Sequence, residues 1–326
     1  WSASSVRQLG SDIQAGGNLS IVAGNDLTVV ASRVSAGGDA LLSAGRDLTL
    51  SAAANVAHSE YHYKSSKKKV NAEDLRVEQQ ATELTAGGNV ALLAGRDLTV
   101  AASQAEAKDS AYLYAGRDLS LLAGEELTRH FYEKQKKGSL GKKSMRLDDV
   151  TTVTVAGSDI QAGNDIVLAS LGDQRYQAAK LSSGNDITLD AGGDITFEAM
   201  KALMQEAHHK SKSSWAWQSA KGKGHTDETV VQSQLMAAGE LAIRAAGSIQ
   251  IDIKEINGQS VSQAIDAMVA AEPQLAWLKE MEQRGDVDWR QVKEVHDSFK
   301  YSQSGLGGVA AAVIAIVVAY FTAGAA

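Results

Sequence analysis

The chain has 326 residues, enough for two ordinary domains or one long repeat array, and carries 30 Gly, one Pro, no Cys and only 5% aromatic residues. Lack of Cys excludes disulfides and thiolate metal sites, and a net charge of −7 argues against a nucleic-acid partner for the chain as a whole. Few aromatics imply a core of Val, Ile, Leu and Ala, which suits a narrow repeated cross-section better than a wide globular one.

No signal peptide opens the chain. It starts at Trp1 within a repeat pattern, so it reads as a segment of something larger, and its start says nothing about destination. The repeat is "AGNDLTV" at 23–29, "AGRDLTL" at 44–50, "AGRDLTV" at 94–100 and "AGRDLSL" at 115–121, with looser copies at 162–168 and 183–189. The outer step is 21 residues, as from Gly24 to Gly45, and a second Gly stands eight residues earlier, as Gly16 does before Gly24. Each Gly is followed by an apolar/polar alternation that reads as a short strand. Gly beside Asn, Arg or Asp suggests a corner with positive φ closed by an Asp side chain. About 20 residues of short strands and tight corners make one coil of a parallel β-solenoid. Leu19, Ile21, Leu27, Val29, Leu48 and Leu50 then point inward. Roughly nine coils spanning about 40–45 Å are expected. A β-sandwich with coincidental glycines is the alternative.

The repeat breaks near 52–82, 129–152 and 199–234, each time with aromatic residues, then lysines, then a β-prone return. Extended β-hairpins that leave the coil and come back to it, like spurs, fit this plan. Stretches 58–80, 129–149 and 201–228 hold 17 of the 32 Lys and Arg. Basic tips on an acidic shaft follow. Lys64, Lys67, Lys68, Lys69, Lys136, Lys137, Lys142, Lys143, Lys210, Lys212, Lys221 and Lys223 are candidates for contact with an anionic surface. The plainer reading is that such lysines protect exposed strand edges from aggregation. Tyr61 with Tyr63, Tyr112 with Tyr114, and Trp215 with Trp217 are spaced to share a strand face. Such rings stack on sugars, sit at a membrane interface, or brace a hairpin.

Glycine punctuation stops at Gly258, so the β-helical domain is expected over 1–258. Residues 259–304 read as α-helical: Ile265, Met268 and Val269 share a face, Pro273 begins a helix and Gly285 ends one. A further helix is expected from Asp286 or Asp288 to about Phe299. Residues 305–326 are an apolar, candidate membrane-inserting segment. Val313, Ile314, Ile316, Val317, Val318, Tyr320 and Phe321, together with Trp215 and Trp217, are the candidate membrane-contacting residues. The alternative is a buried or self-associating helix.

No catalytic constellation stands out, so no enzyme activity and no cofactor are expected. His208, His209 and His225 read as loop histidines rather than metal ligands. The recurring Asp26, Asp47, Asp97, Asp118, Asp165 and Asp186 do not follow the nine-residue calcium β-roll step. Arg46, Arg96 and Arg117 beside them suggest turn bonds or an Arg–Asp ladder along stacked corners.

The "AGxDLxLxA" repeats, their step and their interruptions resemble the haemagglutinin repeats of filamentous haemagglutinin-like exoproteins over about 10–257. The helical segment and apolar run that follow look most like the second repeat region of contact-dependent growth inhibition toxin-delivery proteins. The resemblance implies an all-β, right-handed parallel β-helix exported through the outer membrane by a partner transporter (two-partner secretion), hence a secreted, cell-surface protein. It implies association with a target-cell outer membrane or lipopolysaccharide, in aid of a toxin carried by further domains of the same exoprotein. The rival expectation is a passive adhesin stalk that binds anionic glycans through its hairpins.

Overall fold

A computed structural model of the protein describes residues 1–214 and 217–305. Strand β1 (Ser2–Val6) precedes a first coil of β2 (Asp12–Ala15), β3 (Leu19–Ala23) and β4 (Leu27–Val30). The second coil is β5 (Arg33–Ala36), β6 (Ala40–Ala44) and β7 (Leu48–Ser51), after which the chain leaves as β8 (Ala53–Lys64) and returns as β9 (Lys68–Gln80). Two more coils follow, β10 (Glu83–Ala86), β11 (Val90–Ala94) and β12 (Leu98–Ala101), then β13 (Gln104–Ala107), β14 (Ala111–Ala115) and β15 (Leu119–Leu122). A second excursion is β16 (Gly124–Lys137) and β17 (Lys143–Ala156). The fifth and sixth coils are β18 (Asp159–Ala162), β19 (Ile166–Ser170) and β20 (Gln174–Gln177), then β21 (Lys180–Ser183), β22 (Ile187–Ala191) and β23 (Ile195–Glu198). The third excursion, β24 (Met200–Ser213) and β25 (Gln218–Val231), precedes a seventh coil of β26 (Gln234–Ala237), β27 (Leu241–Ala245) and β28 (Ile249–Lys254).

First, second and third strands of successive coils pair in parallel into three separate sheets, which makes the shaft a parallel β-helix. Seven complete coils are seen among the described residues, not nine, and six strand spacings give the shaft roughly 29 Å. The core is columns of like residues in register, such as Leu42, Leu92, Leu113, Leu168 and Leu189, all inaccessible to solvent or nearly so. Tyr176 interrupts one column. It stacks on Phe197 at 4.8 Å, and its hydroxyl donates to Gln174 Oε1 at 2.7 Å, so the buried polar atom is satisfied.

The corners work differently from the sequence expectation. Among described glycines, positive φ occurs only at Gly141 and Gly258, neither of them a repeat corner. The repeat glycines are needed for space: a Cβ on Gly45 would lie 2.2 Å from the Gly24 carbonyl oxygen, and one on Gly95 would lie 2.2 Å from that of Gly45. Nor does the Asp close its own turn. Its Oδ1 accepts from the backbone N–H of the coil that stacks on it, as Asp118 does from Asp173 at 2.9 Å and Asp173 from Asp194 at 2.8 Å. Arg46, Arg96 and Arg117 each reach back one coil, Nε donating at 2.7 Å to Asp26, Asp47 and Asp97 respectively. These guanidiniums hold the Asp26 and Asp47 carboxyls below the usual carboxylate range.

Corners between the third and first sheets alternate. After the first, third and fifth coils the chain turns tightly through Ala31, Ala102 and Ala178, with φ of 49°, 46° and 44°. After the second, fourth and sixth coils it runs out into a hairpin. The hairpins are not separate spurs. β9 pairs with β16 and β17 with β24, so the three hairpins and β1 merge into one antiparallel sheet in the order β1-β8-β9-β16-β17-β24-β25. The spacing explains the merger. Two coils rise about 9.6 Å, and a two-stranded hairpin occupies the same width, so neighbouring hairpins meet at hydrogen-bonding distance.

Beyond the seventh coil, Ser260 caps α1 (Val261–Ala271) in a capping box with Gln263, and α2 (Trp277–Glu282) follows a 3-10 turn at Pro273–Leu275. Ala264, Ile265, Leu275, Trp277 and Leu278 join the β-helix core, and Trp277 packs on Phe197 at 4.8 Å. The helices therefore cover the end of the shaft. The helix expected from Asp286 to Phe299 is instead two strands, β29 (Val287–Val292) and β30 (His296–Gly305). β29 adds in parallel to β28, Val287 and Trp289 facing Ile249 and Ile251. β30 adds antiparallel to β25. Two waiting sheet edges outweigh a local helix preference, because pairing satisfies the backbone and half-buries Trp289 against the core at once.

Candidate anion-binding surface on the extension sheet

All twelve lysines singled out in the sequence lie on the outer half of the antiparallel sheet, far along the strands from the shaft. Lys64, Lys68, Lys69, Lys136, Lys137 and Lys143 lie in β8, β9, β16 and β17 near the first two tips, where Lys137 N–H donates to the Lys67 carbonyl at 2.8 Å. Lys142 follows the turn at Leu140 and Gly141, with φ of 55° and 70°. Lys210 and Lys212 are in β24, and Lys221 and Lys223 in β25.

Of the twelve, only Lys69 has a carboxylate partner among the described residues, Glu133 at 3.8 Å. Lys68 lies over the Tyr63 ring at 5.2 Å. Lysines nearer the shaft are paired, Lys201 with Glu228 at 2.9 Å and Lys254 with Glu294 at 2.6 Å. So are the sheet's arginines: Arg76 with Glu78, Arg129 with Asp149, and Arg146 with Asp148. Lys69 apart, the outer lysines are thus positive charge that no carboxylate among the described residues compensates. Sequence reasoning missed Lys134 in β16 and Lys300 in β30, which belong to the same cluster. Lys134 falls within a break already read as basic; Lys300 sat in the segment taken for a helix.

All seven histidines are also in this sheet or on its last strand. His208 faces Asp148 at 2.8 Å, whereas its neighbour His209 points to the opposite face, against the Tyr301 hydroxyl. Burial pushes the His209 imidazole down. His296 lies between Asp227 and Glu294, and the hydrogen bond to Asp227 chiefly raises it above the ordinary imidazole range. The described residues contain no group of three or more metal-ligating side chains.

Tyr61 and Tyr63 share one face of β8, and Trp217, 52% exposed, sits at the tip between β24 and β25. Tyr112 and Tyr114 stand apart, exposed on the outer face of the second shaft sheet. Trp215 and the candidate membrane-contacting residues Val313, Ile314, Ile316, Val317, Val318, Tyr320 and Phe321 lie outside the described residues. Among those described, no helix is long and apolar enough to cross a membrane.

A parallel β-helix bearing an antiparallel sheet of outgrowths defines the class: a repeat-built β-solenoid shaft. The hemagglutinin repeat family model matches residues 1–74, 61–148 and 138–265, and the chain belongs to that family. The family is structural and adhesive rather than enzymatic, and its proteins are typically secreted or displayed at the cell surface. No curated protein and no solved structure matches the chain.

Proposed function

We propose that this module associates with the outer membrane of a target cell, or with its lipopolysaccharide, and assists delivery of a toxin carried elsewhere in the same exoprotein after two-partner export. One observation carries the reading. β30 runs outward along β25 until Gly305 faces Gln218, next to Trp217 and close to Lys212. The uncharged apolar sequence 306–326 continues from that point. The uncompensated lysines and the end of β30 therefore share the outer rim of one sheet, and the apolar sequence follows directly in the chain, so charge attraction and lipid affinity would act together. Upstream and downstream domains of the exoprotein, and its outer-membrane transporter, are the other partners this reading requires.

Flotation with vesicles tests it. The full chain should float with anionic vesicles and much less with neutral ones, and Ile316→Asp with Val317→Asp should reduce flotation at least about fivefold. No flotation with any lipid ends the membrane reading. Capture by soluble anionic glycans without flotation favours the second reading, a passive adhesin stalk, which the adhesive character of the family supports.

A further inference from the structure

Strand register sorts the outer lysines onto two unlike faces. Residues directly opposite in a sheet share a face, and like charges so placed destabilise it. On one face Lys134, Arg146, Lys210 and Lys221 stand directly opposite one another across β16, β17, β24 and β25. Two residues nearer the rim, Lys68 faces Lys136, and the same row continues through Ser144, Lys212 and Ser219. Two residues nearer the shaft, Lys223 faces Lys300. Of all these cations, only Arg146 has a carboxylate partner among the described residues, Asp148.

The opposite face is built otherwise. Its corresponding row passes from Lys64 and Lys69 through Gln135, Met145, Ser211 and Ala220 to Gln303. Nearer the shaft, Phe299 and Tyr301 fill it, their rings lying where Cβ atoms on Gly224 and Gly222 would stand.

We infer that the first face is a docking surface for a layer of phosphate-bearing lipid headgroups, which lies flat against it. The inference rests on the membrane reading above and adds the face, the chemistry and the orientation. Its cations form a lattice about 4.8 Å apart across strands and about 6.7 Å apart along them. A linear polyanion lies along one row; a planar layer of phosphates reaches all three. Lysine suits such a partner, being a flexible point charge rather than the bidentate fork of arginine. Between the lysines lie short hydroxyl side chains. Lys210, Lys212 and Lys221 surround a hollow of about 380 Å³ together with Ser219, Ser302 and Ser304. Lys223 and Lys300 line the adjoining hollow. Phosphate oxygens seated there would be met by ammonium and hydroxyl donors at once, and would relieve the repulsion that the register imposes.

Two matched double variants of the full chain decide the matter, assayed with phosphatidylcholine vesicles with and without phosphatidylglycerol. Lys134→Glu with Lys210→Glu turns the cationic row into alternating charge. Lys64→Glu with Lys137→Glu makes the same change in net charge on the other face, opposite Lys69 and Lys143. Both relieve like-charge pairs, so both should melt no lower than the parent without lipid. The first should weaken binding to phosphatidylglycerol vesicles at least about tenfold and the second under about threefold. Equal losses overturn the face assignment and leave the membrane reading standing. Failure of the parent to bind anionic vesicles overturns both. Binding of soluble polyphosphate as tightly, per phosphate, as vesicles replaces the planar partner with a linear one.

Discussion

At the residue scale, the glycine that recurs in the repeat does a different job from the one a turn signature suggests. Gly45 stacks on Gly24, and its missing side chain is what lets the coils approach. Gly45→Ala should therefore cost ~1–3 kcal/mol in overpacking. Gly24→Ala should cost much less, since nothing lies within 4 Å of a Cβ there. Urea denaturation of the two variants checks the contrast; equal costs would show that conformation, not space, selects glycine. The period and the inward Leu, Ile and Val could be read from sequence, because every coil places the same residue type at the same station. The Arg–Asp ladder could also be read, since its members adjoin in the motif. The direction of the Asp bond could not. Turn and ladder use the same two residue types, and only the stacked neighbour reveals which backbone N–H the carboxylate meets.

At the element scale, β29 and β30 are strands in a segment whose local signals favour helix. Asp286 and Asp288 look like helix caps, yet Val287 and Trp289 alternate with Asp288 and Arg290 as a strand does, and the edges that β29 and β30 join lie some 40 residues back or more in β28 and β25. Sequence gave no view of those edges. The candidate lysines were legible as a composition, but their division between faces depends on register across several strands. β30 is also held by two imidazoles of opposite sign. His296, raised by Asp227 and Glu294, contributes stability that is full below the ordinary imidazole value near 6.5 and lost as pH rises through its higher folded value. His209, lowered by burial, contributes stability that is full above about 6.5 and lost as pH falls through its folded value. Hydrogen-exchange protection of residues 297–303, corrected for intrinsic rates, should peak near pH ~6.5 and decline on both sides. His296→Gln should abolish the alkaline decline and leave the acid one; an unchanged profile would remove His296 from the account.

At the scale of the whole molecule, the shaft and the antiparallel sheet share one spacing. Tight corners at Ala31, Ala102 and Ala178 alternate with hairpins, so each pair of coils carries one pair of outer strands. A duplicate of residues 83–103 inserted after 103 would add one coil between the first two hairpins. It would open a gap of about 4.8 Å between β9 and β16. Every second amide over 127–136, those that donate toward β9, should lose exchange protection while the shaft sheets keep theirs. Intact protection there would mean that the hairpins adjust along the shaft rather than being fixed by it.

That shared spacing also bears on how such a chain gains length. A gene segment encoding one coil, copied in tandem, puts every later hairpin out of phase with its neighbour. A segment encoding two coils and their hairpin leaves the phase intact. Tolerated duplications and deletions in this chain should therefore come in steps of 71–76 residues, the distances from the start of β8 to that of β16 and from the start of β16 to that of β24. Its history, like its structure, would be counted in pairs.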